Sequence, residues 1–183
     1  MDTLAETGGG QVLVVGPSGA GKDTVLAGLR EILEDKNGFV FARREITRDA
    51  DAGGEDHVAI DEATFQRREA AGGYALSWRA HGLCYGVPRT IEDDLRAGRM
   101  VLANTSRAMI APARQRYPGV QTVVITAPAA VLAERLAVRG RESRAEVLAR
   151  LARSAPDIPQ GDDIWEINNT GTPRRVSAAC AMP

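Results

Sequence analysis

Gly16-Pro17-Ser18-Gly19-Ala20-Gly21-Lys22-Asp23-Thr24 stands between two apolar stretches of different period. Upstream, Gln11 to Val15 is short and continuously apolar from Val12, the pattern of a buried strand. Downstream, Val25, Leu26, Leu29, Ile32 and Leu33 fall on one face of a helix. A strand, a glycine-rich turn and a helix opened by lysine are the context of a phosphate-binding loop. The glycines let successive backbone N–H groups point at one anion, and the helix adds its positive end. Gly16, Pro17, Ser18, Gly19, Ala20 and Gly21 therefore form the expected cradle for a nucleoside triphosphate. Lys22 reaches the β- and γ-phosphates as a compact charge.

The residue after the lysine is ordinarily Ser or Thr, whose hydroxyl holds Mg²⁺. Here it is Asp23, followed by Thr24. A carboxylate is also a hard oxygen ligand, so Asp23 and Thr24 are the expected Mg²⁺ residues. The other metal-organising position is an acid at the end of a buried strand. The best strand is Met100 to Ala103, and it ends in Asn104. The two departures compensate in charge: the metal-side carboxylate is expected at Asp23 instead of at the strand end.

Beyond the loop, the chain alternates strands and helices. Strands are expected over Phe39–Ile46, Met100–Ala103, Val120–Ile125 and Ile164–Ile167. Helices are expected over Asp61–Ala70, Thr90–Ala97, Arg107–Arg116 and Pro128–Val138, with a short one after Pro173. Such alternation implies a mostly parallel sheet with helices on both faces. The segment from about Arg43 to Val87 breaks the alternation with a hairpin-like stretch, and reads as an insertion at the carboxyl edge of the sheet, where ligands bind. Its donors include Arg44, Arg48, His57, Ser77 and Tyr85, which suit a doubly phosphorylated anion. Downstream, Arg135, Arg139, Arg141, Arg144 and Arg150 surround Gly140. Arg135 and Arg139 share one helical face. The segment 139–150 reads as a lid whose arginines neutralise a transferring phosphoryl group.

Composition narrows the class. The 183 residues amount to one domain, 1–183, with no internal repeat. The longest apolar runs are far short of the roughly 20 residues of a membrane span. Residues 1–10 lack a basic, apolar leader, so a cytoplasmic setting is expected. Two cysteines, Cys84 and Cys180, cannot frame a disulfide scaffold. The net charge of −1 gives no case for nucleic acid as a partner. Of the 23 basic residues only Lys22 and Lys36 are lysines, which makes Lys22 conspicuous.

In order along the chain, the phosphate loop, Thr47-Arg48, Gly54-Glu55-Asp56-His57, Tyr85-Gly86 and Arg139-Gly140-Arg141-Glu142 resemble the guanylate-kinase-like P-loop kinases. Three details are similar to the ribose 1,5-bisphosphate phosphokinase family within them. These are Gly21-Lys22-Asp23-Thr24, Ala75-Leu76-Ser77-Trp78 leading to Tyr85-Gly86-Val87, and Asn104-Thr105-Ser106-Arg107. The resemblance implies a three-layer α/β/α P-loop fold, as monomer or homodimer. It implies transfer of the ATP γ-phosphoryl group, with Mg²⁺, to ribose 1,5-bisphosphate, giving 5-phosphoribosyl 1-diphosphate in phosphonate catabolism. Lys22, Arg48, Arg139 and Arg150 take the catalytic roles. Arg48, His57, Ser77, Tyr85, Ser106 and Arg107 hold the acceptor. The alternatives are a guanylate or other nucleoside monophosphate kinase, and a non-catalytic binding module of the same fold. Ser77 stands where guanylate kinases carry the glutamate that reads guanine, and Thr47-Arg48 lacks their following Pro-Arg. A base-reading site depends on paired polar groups, so GMP is the weaker acceptor.

Overall fold

A computed structural model describes residues 9–49, 55–138 and 160–170. Five parallel strands form its main sheet: β1 (Gly10–Val15), β2 (Phe39–Phe41), β7 (Met100–Asn104), β8 (Gln121–Thr126) and β9 (Ile164–Asn168). Their order across the sheet is β2-β7-β1-β8-β9. β1 is central because both its faces are apolar. Leu13 and Val15 turn one way and pack with Val101, Ala103 and Val124. Val12 and Val14 turn the other way, towards Leu102 and Ile125.

Helices cover both faces, as the alternation requires. α1 (Lys22–Leu33) presents Val25 and Leu29 at a four-residue spacing to the Val14 side. Leu132 of α5 (Ala129–Val138) joins that cluster. Ile91 and Leu95 of α3 (Ile91–Arg96), with Ile110 and Ala113 of α4 (Ile110–Arg116), fill the Leu13 side. α4 begins one turn later than the expected helix, because Arg107–Met109 forms a 3₁₀ turn first. No helix among the described residues is long and apolar enough to cross a membrane.

The expected strand Phe39–Ile46 divides into two strands of different sheets. Phe39 to Phe41 pairs with β7, and Ala42 still donates to the Leu102 carbonyl at 2.8 Å. Arg43 and Arg44 then interrupt the apolar run, and the chain leaves the sheet edge. Glu45–Ile46 becomes β3 of a second sheet, ordered β4-β3-β6-β5. This sheet contains β4 (Val58–Ala59), β5 (Tyr74–Ala80) and β6 (Leu83–Pro88). β5 and β6 form the expected hairpin. His81 and Gly82 close it with φ of 52° and 74°, the left-handed pair of a tight hairpin turn.

α2 (Glu62–Ala70) covers one face of the hairpin. Asp61 caps it as expected, accepting from the Thr64 amide at 2.7 Å. Phe65 stacks on Tyr74 at 4.8 Å beneath it. The opposite face carries Leu76, Trp78 and Val87 into the same core as Leu13 and Val15. The insertion therefore shares its core with the main sheet, and its acceptor-side residues are held by packing. The expected helix after Pro173 and the segment 139–150 lie outside the described residues.

At Gly86 of β6 the neighbouring strand leaves no room for a side chain. A Cβ there would run into the ring of Tyr74. Gly86→Ala should destabilise the protein by about 1–3 kcal/mol, the usual cost of an unaccommodated methyl in a packed interior. Urea unfolding at unchanged m-value measures it.

Candidate functional site

β1 delivers the chain into the phosphate loop at Gly16, whose φ of 149° lets the backbone pass directly over the Ile125 carbonyl. Gly19 and Gly21 follow in left-handed conformation, at φ of 84° and 87°, and curl the loop. Gly21 caps α1. A Cβ on Gly21 would lie 2.6 Å from the Asn169 amide nitrogen, so bulk as well as conformation demands glycine.

Two side chains hold the loop from behind. Asn169, at the end of β9, is buried and donates to the Ala20 carbonyl at 2.7 Å. Arg135 donates to the carbonyls of Gly19 at 3.4 Å and Asn169 at 3.2 Å. Arg135, expected on the lid face with Arg139, thus belongs to the loop's support. Asn169 was not foreseen; an isolated asparagine after a terminal strand carries no motif.

Lys22 folds across the mouth of the loop and donates from Nζ to the carbonyls of Gly16 at 2.9 Å and Pro17 at 3.2 Å. Burial brings its pKa down to about 8, against the opposing charge of Asp23. Arg44 and, less strongly, Arg107 also depress it, so three cations share one neighbourhood. Arg107 has a buried Nη1 with no hydrogen-bond partner among the described residues. Ser106, beside it, is used as a cap: its Oγ accepts from the Ala108 amide at 3.3 Å.

Asp23 and Asn104 touch. The Asn104 amide donates to Asp23 Oδ1 at 2.6 Å. Burial, then Glu55, holds the Asp23 carboxyl above the ordinary aspartate range, with Arg44, Lys22 and Asn104 opposing. A cleft of about 400 Å³ opens over this pair, lined also by exposed Thr24 and by Arg44 and Glu55. Among the described residues no three His, Cys, Asp or Glu side chains cluster as a self-sufficient metal site. The oxygens of Asp23, Thr24 and Asn104 fit a hard cation that takes its remaining ligands from phosphate and water. The Asn104 Oδ1 is buried and unpartnered among the described residues, a free hard donor.

The insertion contributes a charged network. Glu55 pairs with Arg44 and, at 3.4 Å, with Arg48. Arg44 is buried; its guanidinium lies 5.6 Å from the Tyr85 ring centroid and 5.7 Å from that of Trp78. Those two rings stack at 5.2 Å. His57, expected among the acceptor contacts, is buried beneath Arg48. Its Nε2 faces the Arg48 carbonyl at 3.1 Å, and its Nδ1 faces the Arg48 guanidinium at 3.4 Å. Nδ1 also faces the Glu55 carbonyl at 3.0 Å, so the ring contacts the carbonyls of both Arg48 and Glu55 as well as the Arg48 guanidinium. His57 therefore positions Arg48 from below.

Ser77, also expected among the acceptor contacts, is turned the other way. Trp78 pairs with Tyr85 across the hairpin, so its neighbour Ser77 points to the opposite face. There its hydroxyl donates to Glu69 at 2.8 Å, and Arg79 joins the same carboxylate at 2.6 Å. Glu69 carries no sequence signal as a partner, and Arg44, expected among the donors of the insertion, is engaged by Glu55. The acid in Gly54-Glu55-Asp56-His57, downstream of Arg43, Arg44 and Arg48, is the one signal that points to Glu55. Arg139 and Arg150 lie outside the described residues.

No family model matches the chain. It is 56% identical over 152 residues to the ribose 1,5-bisphosphate phosphokinase of Chelativorans sp. (strain BNC1), covering 81% of this chain and 73% of that one. It is 50% identical over 161 residues to the bifunctional ribose 1,5-bisphosphokinase-thymidine phosphorylase of Azorhizobium caulinodans, covering 88% of this chain. The match spans only 23% of that longer protein. Among solved structures, guanylate kinase from Anaplasma phagocytophilum aligns over 97% of this chain and 87% of its own, with a TM-score of 0.63 and 23% identity. That likeness speaks for the fold.

Lys22 offers a direct test of the loop. With the lysine amine ¹³C-dimethylated, a Lys22 resonance should titrate near pH 8. Adding tripolyphosphate should move the titration upward, since an anion favours the charged amine. By linkage, anion affinity is full below pH 8 and declines above it. A titration at the usual lysine pH, unmoved by tripolyphosphate, would contradict the site.

Proposed function

The chain belongs to the ribose 1,5-bisphosphate phosphokinase family, and from that premise we propose that it transfers the γ-phosphoryl group of ATP to the 1-phosphate of ribose 1,5-bisphosphate. The products are 5-phosphoribosyl 1-diphosphate and ADP. The observation that carries this reading is the 56% identity to a ribose 1,5-bisphosphate phosphokinase over 152 residues.

An oxygen of the acceptor's 1-phosphate attacks the γ-phosphorus, and the bond to the β–γ bridging oxygen breaks. That nucleophile is already anionic, so no general base is needed. Catalysis rests on positioning and charge neutralisation. The loop amides and Lys22 hold the donor phosphates. Asp23 and Thr24 would hold Mg²⁺, which would supply positive charge against the donor phosphates. Arg107, whose buried nitrogen near Lys22 has no partner among the described residues, takes the anionic oxygens of the acceptor phosphate on the strand-β7 side. Arg48, steadied by His57 and Glu55, and Tyr85, backed by Trp78, receive the acceptor from the insertion. Arg139 and Arg150, on their positions in the sequence, supply positive charge over the transferring group. The reactants are small molecules, and the reading suits a cytoplasmic phosphonate-degrading route.

The structural likeness to guanylate kinase raises GMP as a rival acceptor. Ser77 has no carboxylate for guanine, and its hydroxyl is engaged by Glu69. With ATP and Mg²⁺ in a coupled assay, ribose 1,5-bisphosphate should be consumed and GMP should not. Equal turnover of GMP would replace the reading with guanylate kinase. Arg139→Ala or Arg150→Ala should lower kcat by on the order of 10²-fold, with a smaller effect on the acceptor KM, as loss of a transition-state charge clamp does. Unchanged kcat in both would remove them from the mechanism.

A further inference from the structure

The loop carries a fixed negative charge where a neutral hydroxyl ordinarily stands. Asp23 is the second residue of α1, directly after Lys22. Its position is not left to solvent. Val14 of β1 lies opposite Asn104 of β7, and this register carries the Asn104 side chain to the loop. A carboxylate can only accept, so the Asn104 NH₂ must face Asp23, and it does so at 2.6 Å. Asn104 is 7% exposed, and its carbonyl oxygen has no partner among the described residues. The asparagine is thus oriented by Asp23, and Asp23 by the asparagine.

This charge opposes the purpose of the loop. Apart from burial, Asp23 is the strongest influence on Lys22, so part of the lysine's charge already answers a neighbouring carboxylate. The other nearby acid, Glu55, is neutralised by Arg44 and Arg48. Asp23 has no arginine or lysine ion pair among the described residues; it has the Asn104 amide and the proximity of Lys22. A bare triphosphate entering the loop meets this carboxylate at short range in a partly desolvated site, where like charges repel strongly. A divalent cation between them reverses the sign of the interaction. A hydroxyl at the same position would leave metal-free nucleotide unpenalised.

We propose that Asp23, held by Asn104, makes nucleotide binding obligatorily coupled to a divalent cation: the loop accepts the metal–nucleotide complex and rejects the free nucleotide. This rests on the ATP-dependent reading above. It assigns Asp23 a selective role before any chemistry, beyond ligation of the metal during it. The charge at this point is also transferable. Asn104 differs from aspartate by one amide and touches residue 23, so Asp23→Ser with Asn104→Asp moves the carboxylate across the 2.6 Å contact without removing it.

The test is equilibrium binding of the non-hydrolysable β,γ-imido analogue of ATP to the full chain by calorimetry, in Mg²⁺ and in EDTA. The unaltered protein should bind at least about 100-fold more weakly in EDTA, a difference of about 2.7 kcal/mol. Asp23→Asn and Asp23→Ser should each tighten binding in EDTA by at least about 10-fold, and so shrink the Mg²⁺ effect. Asp23→Ser/Asn104→Asp should restore it. Thermal unfolding with no ligand verifies that each variant is folded; loss of the fold in both single variants would make the carboxylate structural and overturn the proposal. Equal affinity in Mg²⁺ and EDTA for the unaltered protein overturns it while leaving the ATP reading intact. So does unchanged metal-free affinity in both single variants. No binding in either condition overturns the ATP reading itself, and the proposal with it.

Discussion

β1 runs parallel to both its neighbours, with Val14 opposite Asn104 on one side and Val123 on the other. Because all three strands point the same way, their carboxyl ends reach one edge of the sheet together. The phosphate loop, the Asn104–Arg107 segment and the turn after β8 are therefore neighbours by construction. The entire charge arrangement follows from that register. A slip of one residue would turn Asn104 to the other face of the sheet and separate it from Asp23. The loop is tightened at the same edge by Asn169, which arrives at the end of β9 in the same parallel sense.

The insertion solves a different problem, that of holding arginines in a fixed pose. Exposed arginines keep their charge but spend rotamer entropy when they bind an anion. Arg44 is buried against Trp78 and Tyr85 and paired with Glu55, and Glu55 also reaches Arg48. Such buried pairs contribute little net stability, yet deleting one partner typically costs about 3–5 kcal/mol because the other charge is stranded. The network is better understood as orientation than as stability. His57 extends it by fixing both the carbonyl and the guanidinium of Arg48. The rigid backing is the core shared between hairpin and main sheet.

Elements defined by local pattern were legible. The β1–loop–α1 unit, the Asp61 cap, the hairpin and the alternation of strands and helices were all readable from spacing and turn residues. What escaped was set by tertiary contact. The stretch Phe39–Ile46 reads as one strand, yet Arg43 and Arg44 divide it between two sheets, because a charged pair cannot continue an edge strand into the core. Arg135 looks like a lid residue from its spacing to Arg139, but the approach of α5 to the loop gives it backbone carbonyls to bind. Ser77 and His57 are both expected, on sequence, to touch the acceptor. Their orientation depended on strand pairing and burial, which composition does not carry.

The Asp23–Asn104 contact joins these two levels. Each residue alone reads as a departure from the ordinary loop, and each departure alone would weaken a metal site. One places a carboxylate where a hydroxyl suffices; the other removes a carboxylate that is ordinarily required. Their meeting at 2.6 Å supports reading the two departures together. A carboxylate retained at the strand end as well as at Asp23 would set two like charges at hydrogen-bonding distance, which a partly buried site disfavours strongly. Asparagine at 104 is what permits aspartate at 23. It contributes the donor that the carboxylate needs and leaves the contacting pair with a single negative charge.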